Sequence, residues 1–380
     1  MTKKILYIRN FPNEVDPTKY NLQEIGFGSA LVRLGYNCDV VYFSEKKGLP
    51  KESIYEFNKR KLSLFRLKGI NMFNQGIYPS ILKREFLDQY DFIITTEYSQ
   101  VMTFFLAITA KAPLLLYHGP YRDPLRMNFL HKIYDYICLK TINKKVEKIF
   151  TKSDLAKQYL KDKGFNNIRT IGVGLNNSNF ENANTESNEV KKLTGELEVS
   201  KAKVLLYVGN IDENKNIRFL YNVFLKIRQK ESNSKLIIVG KGQESYTHKL
   251  NTLADELGIS NDVIHLSEVK QSDLPNIYKI ADLFFLPSKY DIFGMVLLES
   301  MYFGVPVLSS YNGGASTMIE NKINGYILNE FDVDKWAETA LNVMGNKELS
   351  LTLSNNAKKT IENEYLWDEL AKVFIEELSP

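Results

Sequence analysis

Between Asp282 and Gly314 the chain passes through a strand, a loop, a helix, a second strand and a second loop, the order of an α/β unit. Leu283–Leu286 is a short apolar run of the kind buried on both faces of a parallel sheet. Pro287 and Ser288 break it, Tyr290–Phe293 reads as a loop, and Gly294 leads into a helix over about Met295–Phe303. Gly304 at its end and Pro306 just beyond are stop signals. The unpaired N–H groups at such a helix start, backed by the helix dipole, form a seat for an anion. Gly294, having no Cβ, lets a phosphate come close. Glu299 falls just over one turn inside the helix, where a carboxylate can hold ribose hydroxyls. Asp291 precedes the helix, near where a group attached to the phosphate would sit.

The same alternation runs through the rest of the chain. In the first half, strands are expected at Ile5–Ile8, Asp39–Phe43, Phe92–Thr95, Leu114–Tyr117 and Lys148–Thr151. Helices are expected between them at Leu22–Leu34, Ser80–Gln89, Ser99–Ala110 and Leu125–Val146. A second series starts at Val204, with strands at Lys235–Val239 and Val263–Leu266 and helices at Ile217–Gln229, Ser245–Leu257 and Asp273–Ile280. Helices over 335–344 and 348–378 end the chain. Strands alternating with helices predict doubly wound parallel sheets. With 380 residues, one core is too few and two domains are expected. The boundaries fall at 1–176, a linker at 177–200 that includes a polar helix, and a second domain at 201–360.

Several function classes drop out. A hydrophobic fraction of 44% excludes wholesale disorder. The N-terminus reads as a strand rather than a signal peptide, and Val101–Ala110 is too short to span a bilayer. Two distant cysteines, Cys38 and Cys138, offer neither disulfide nor metal spacing and suit a reducing cytoplasm. The net charge of +4 conceals an imbalance. Residues 1–185 hold 28 Lys and Arg against 17 Asp and Glu, and residues 186–380 hold 21 against 28. No nucleic-acid motif accompanies the basic half. Its cations gather in two stretches read as helical, Lys59–Lys68 and Arg122–Lys148, with apolar residues interleaved. They suit either an anionic membrane surface or plain solvated faces.

The Asp291–Glu299 spacing in this context resembles the acidic-x7-Glu signature of retaining glycosyltransferases of the GT-B fold, family 4 (glycosyl transferases group 1), which use nucleotide-sugar donors. The first acid is usually Glu in that family, and here it is Asp291. The resemblance implies two Rossmann-like domains facing across a cleft, with residues 361–380 crossing back to the first domain through Trp367, Leu370, Val373, Phe374 and Leu378. Gly209-Asn-Ile-Asp-Glu-Asn-Lys-Asn216 resembles the family's Gly-Arg…Lys loop, whose two cations clamp the diphosphate. Lys215 takes the lysine place, and the neutral Asn210 stands where the family has Arg. His118, after the strand Leu114–Tyr117, falls where the family's His reaches the donor sugar. Gly240 opens a further turn beside the nucleotide, and Glu268 and Val269 fall where the nucleobase meets backbone groups.

The implied catalytic residues are therefore His118, Asp291 and Lys215. The implied donor contacts are Asn210, Lys215, Gly240, Glu268, Val269, Asp291, Phe293, Gly294, Met295, Val296 and Glu299. The loop after the first strand lacks the family's Gly-Gly turn; its Lys19, Tyr20 and Asn21 are acceptor candidates. Asp332-Val-Asp334 matches the Asp-x-Asp of metal-dependent glycosyltransferases of another fold, but it sits where helix-capping residues sit, so neither metal nor cofactor is expected. The implied reaction moves a hexosyl group from a nucleoside diphosphate sugar, a UDP-sugar first, to a glycan or lipid-linked acceptor, as in bacterial surface polysaccharide synthesis. It would take place in the cytoplasm or on the inner membrane face. A nucleotide-sugar epimerase or phosphorylase on the same fold, or a non-catalytic partner subunit, remain open alternatives.

Overall fold

A computed structural model of the chain describes residues 2–16, 22–46, 48, 51–123, 128–181 and 187–378. They form two compact units: Met1–Asn176 with Leu366–Pro380, and Asn177–Tyr365. Each is a doubly wound α/β domain.

In the first unit the strands stand in the order Ile168–Thr170, Val146–Thr151, Leu114–His118, Phe92–Thr96, Lys4–Ile8, Asn37–Ser44, Arg60–Lys68, Glu52–Phe57. All neighbours pair in parallel except the last two, which form an antiparallel edge hairpin. The winding reverses between Lys4–Ile8 and Phe92–Thr96. Central strands such as Phe92–Thr96 and Leu114–His118 are buried along their whole length, as double coverage by helices requires.

The second unit has the order Val263–Leu266, Ser234–Val239, Lys203–Val208, Leu283–Leu286, Val307–Ser310, Tyr326–Leu328, all parallel. In chain order these are strands three, two, one, four, five and six, the dinucleotide-fold arrangement, with reversal between Lys203–Val208 and Leu283–Leu286.

The structure corrects several expected elements. Lys59–Lys68 is not helical: Arg60–Lys68 is a strand turned back on Glu52–Phe57 through Asn58 and Lys59, both at positive φ (47° and 64°). That two-residue turn matches strand twist, and Leu62 and Leu64 point into the core rather than outward. Ser80–Gln89 reduces to two short turns, Pro79–Ile81 and Arg84–Leu87. The polar helix expected within the stretch 177–200 is Asn188–Ser200, which belongs to the second unit, is capped by the Ser187 hydroxyl and buries Val190 and Leu197.

The helix expected over 348–378 breaks at Tyr365–Leu366 into Lys347–Glu364 and Trp367–Glu376, and the chain passes from the second unit to the first there. The last helix seats Trp367 and Phe374 against Phe27, with ring centroids 5.3 and 4.9 Å apart. A Cβ on Gly26 would lie 2.3 Å from the Trp367 ring and one on Gly174 only 2.4 Å, so both glycines make room for that indole. This explains Gly26 inside a helix, where it is otherwise unfavourable.

Candidate functional site

Open α/β sheets bind ligands outside the carboxyl ends of their strands, where the winding reverses. In the second unit the loops after Val208 and Leu286 meet at that place. Asn214 Nδ2 donates to the Tyr290 carbonyl at 2.7 Å, and the Lys289 amide donates to the Asn214 carbonyl at 2.8 Å. Lys215 Nζ lies 2.6 Å from Asp291 Oδ2, with only 19% and 15% of the two side chains exposed. The sequence singled out both residues for different reasons, and the fold brings them into one ion pair.

The loop carrying Asp291 rests on Gly313 and Gly314. Gly313 N–H donates to the Asp291 carbonyl at 3.0 Å, and a Cβ on either glycine would fall within 2.0 Å of the Ile292 or Phe293 carbonyl oxygen. Gly294 adopts φ +72° and opens the helix Met295–Tyr302. Phe293 and Gly294 are buried, while Met295 and Val296 in the first turn are half-buried. Glu299 is buried in the next turn and accepts the Tyr278 hydroxyl at 2.9 Å; Tyr278 in turn stacks on Phe303. Tyr278 is a residue the sequence reading missed, since nothing local to it marks it as a carboxylate partner.

The remaining candidates of this unit follow the carboxyl ends of Lys203–Val208, Ser234–Val239 and Val263–Leu266. Gly240 (φ +146°) lies back to back with Gly209: a Cβ on it would be 1.9 Å from the Gly209 carbonyl oxygen. Its glycine is therefore required by backbone packing of two strand-to-helix turns. Asn210 is exposed, and its carbonyl accepts the Tyr207 hydroxyl at 2.7 Å. Glu268 is exposed and pairs with Lys241 at 3.0 Å, and Val269 is half-buried. Asp332 caps Val333–Gly345 by accepting from the amides of Asp334 and Lys335.

His118 belongs to the first unit, at the carboxyl end of Leu114–His118, and is buried. Its Nδ1 lies 2.7 Å from Glu97 Oε2, but off the line a good hydrogen bond needs, and Tyr159 stacks on its ring. Glu97 also accepts the Gly119 N–H at 3.0 Å and stands 3.7 Å from Lys152 Nζ. Burial alone would raise the Glu97 pKa; His118, Lys152 and the Gly119 amide outweigh it and hold the carboxyl below its usual value. Glu97 takes a left-handed backbone (φ +58°), a strained state that marks functional places more often than loops at large. Sequence reading passed over it, although it directly follows the strand Phe92–Thr96, next to the strand that His118 ends. Lys19, Tyr20 and Asn21 lie outside the described residues.

Among the described residues one group has metal-ligand chemistry close together: Asp123, His131 and Asp135 of the first unit. The Lys163 ammonium already sits 2.8 Å from Asp123 and 2.6 Å from Asp135 and supplies their counter-charge.

Residues 191–360 match the family model of glycosyl transferases group 1. An uncharacterized glycosyltransferase of Methanocaldococcus jannaschii is 34% identical over 45% of this chain and 43% of its own length. The lipopolysaccharide 1,2-N-acetylglucosaminetransferase of Salmonella typhimurium is 33% identical over 47% of this chain and 48% of its own. The chain thus spans less than half the length of these curated relatives. Over whole chains, HepE of Anabaena, solved in complex with UDP, superposes with a TM-score of 0.73 at 16% identity, covering 99% of both chains. At that identity the likeness establishes the fold, the two-domain GT-B architecture.

Proposed function

We propose that this chain, which matches the family model of group 1 glycosyl transferases over residues 191–360, transfers a hexosyl-type sugar from a nucleoside diphosphate sugar to a hydroxyl of a glycan or lipid-linked acceptor, with the anomeric configuration retained. UDP is the first nucleotide to try, since HepE was solved with it. The observation that carries the reading is the Lys215–Asp291 pair, set beside the Met295–Tyr302 helix start at the reversal point of the second sheet.

A lysine held by a single carboxylate at such a place is an exchangeable cation. An incoming diphosphate, with more charge than one carboxylate, draws the ammonium to itself and is also met by the N–H groups of the helix start. Asp291, released from Lys215, accepts hydrogen bonds from the sugar hydroxyls. Glu299 holds the ribose. The resemblance alone assigns His118 to the sugar near its reacting carbon, with the Glu97 carboxylate beside its ring at 2.7 Å.

In the transfer, the bond from the anomeric carbon to the diphosphate oxygen breaks. A bond to the acceptor oxygen forms on the same face, and the acceptor proton passes to the departing phosphate oxygen. The chain's own part is positioning and a positive field from Lys215 and the helix end, so no metal is needed.

Screening nucleoside diphosphate sugars for acceptor-dependent release of nucleoside diphosphate tests the proposal. Turnover is expected to persist in EDTA. Activity lost in EDTA and restored by manganese or magnesium would overturn the metal-free part. Donor conversion without any acceptor would point to an epimerase, and silence with every donor to a non-catalytic partner.

A further inference from the structure

We propose that the outer face of helical segment 128–145 in the first unit docks on an anionic phospholipid surface. Asn128–Tyr134, a wide-turn stretch Asp135–Leu139, and Lys140–Lys145 run on as one helical rod. One face, carrying His131, Cys138 and Ile142, is buried in the domain core. The opposite face should be polar in an ordinary surface helix, and it is not. Phe129, Leu130, Ile133, Tyr136 and Ile137 all stand in solvent, with Phe129 74% and Tyr136 91% exposed. Five of the fifteen exposed large apolar residues among the described ones thus fall within nine consecutive positions. The neighbouring helix Val101–Thr109 packs on Lys140–Lys145, carries no charged residue, and adds the exposed Ile108.

Charge selects the occupant. Lys132, Lys140, Lys144 and Lys145 are exposed on the same rod, and none is engaged by a carboxylate among the described residues. Its single acid, Asp135, is held at 2.6 Å by Lys163. Aromatic and aliphatic side chains at i, i+4 and i+7 spacing, here Phe129, Ile133 and Tyr136, flanked by unpaired lysines are the pattern of a helix lying in a membrane interface. There the rings enter the headgroup boundary and the lysines reach lipid phosphates. No described helix is long and apolar enough to cross a membrane, so the contact lies in the plane of the surface. The other basic stretch, Arg60–Lys68, is a strand with its leucines turned inward and offers no such face.

Flotation of the full chain with vesicles of phosphatidylcholine, with and without phosphatidylglycerol, tests the inference. Binding is expected only with phosphatidylglycerol and should weaken with salt, because exposed charges are screened within about 8 Å at physiological ionic strength. The pairs Phe129→Glu with Ile137→Glu, and Lys140→Glu with Lys144→Glu, should each lower partitioning about tenfold or more. Both should leave the unfolding midpoint unchanged and, with a water-soluble acceptor, donor turnover as well, which separates failure here from failure of the donor site. A wild-type chain that stays unbound at low salt, or variants that float as well as wild type, would overturn the inference. So would a stable dimer that the Phe129 and Ile137 changes dissociate, since a second copy would then cover the face.

Discussion

Replacing Lys215 by Met should lower kcat/KM with the nucleotide-sugar donor about 10²–10³-fold, the loss typical of removing one preorganised group from a developing oxyanion. The magnitude follows from how little else can act in its place. The exposed, neutral Asn210 stands where the family pattern has its second cation, so the proposed assignment leaves the positive field at the diphosphate to Lys215 and the helix end. Methionine keeps the length of the side chain and removes the charge. Part of any loss could instead come from removing the Lys215 charge from beside the half-buried Asp291. The double variant Lys215→Met with Asp291→Asn separates the two causes. Recovery of activity in the double variant would mean that Lys215 serves only to neutralise Asp291, whereas a loss that persists locates the lysine on the diphosphate. A single variant within about threefold of wild type would remove Lys215 from the machinery altogether.

Trp367→Ala should destabilise the first unit by about 3–5 kcal/mol, the range for emptying a large buried aromatic site. The indole is 2% exposed and is wedged between Gly26, Gly174 and Phe27. Its helix is also tied down by Arg33 to Asp368 and by Lys148 to Glu377. The chain has two tryptophans, Trp336 in the second unit and Trp367 in the first, which makes the test specific. In Trp367→Ala the remaining fluorescence reports the second unit and should show a urea midpoint close to that of wild type. Circular dichroism should show an earlier transition that fluorescence does not follow. A single transition by both probes at the wild-type midpoint would mean that the last helix contributes little to the first unit.

What could be read from the residues was what local pattern encodes. The apolar run Leu283–Leu286, the punctuation by Gly294, Gly304 and Pro306, and the pairing of Asp291 with Glu299 in one loop-helix unit survive as described. What stayed hidden depends on sheet order or on partners far along the chain. Lys215 and Asp291 are 76 residues apart, and only the first-to-fourth strand adjacency brings them together. Tyr278 reaches Glu299 from a helix that shows no sign of that duty. Glu97 was legible in principle, because it directly follows a buried strand beside the one ending in His118, but its left-handed backbone has no sequence signal in a glutamate. The edge hairpin was misread as a helix because Lys59–Lys68 mixes charges and leucines at spacings that suit both periods, a known ambiguity of short segments. Asn58 and Lys59 in the turn decided the outcome.

The donor site itself is most directly tested by calorimetric titration of the chain with UDP, in wild type and Glu299→Ala. Saturable binding at one site per chain is expected, weakened in the variant by about 1–3 kcal/mol because buried hydroxyls lose their acceptor. UDP binding that is the same in both proteins, or no binding of UDP or any other nucleoside diphosphate to wild type, would contradict a nucleotide held at the Gly294–Glu299 turn.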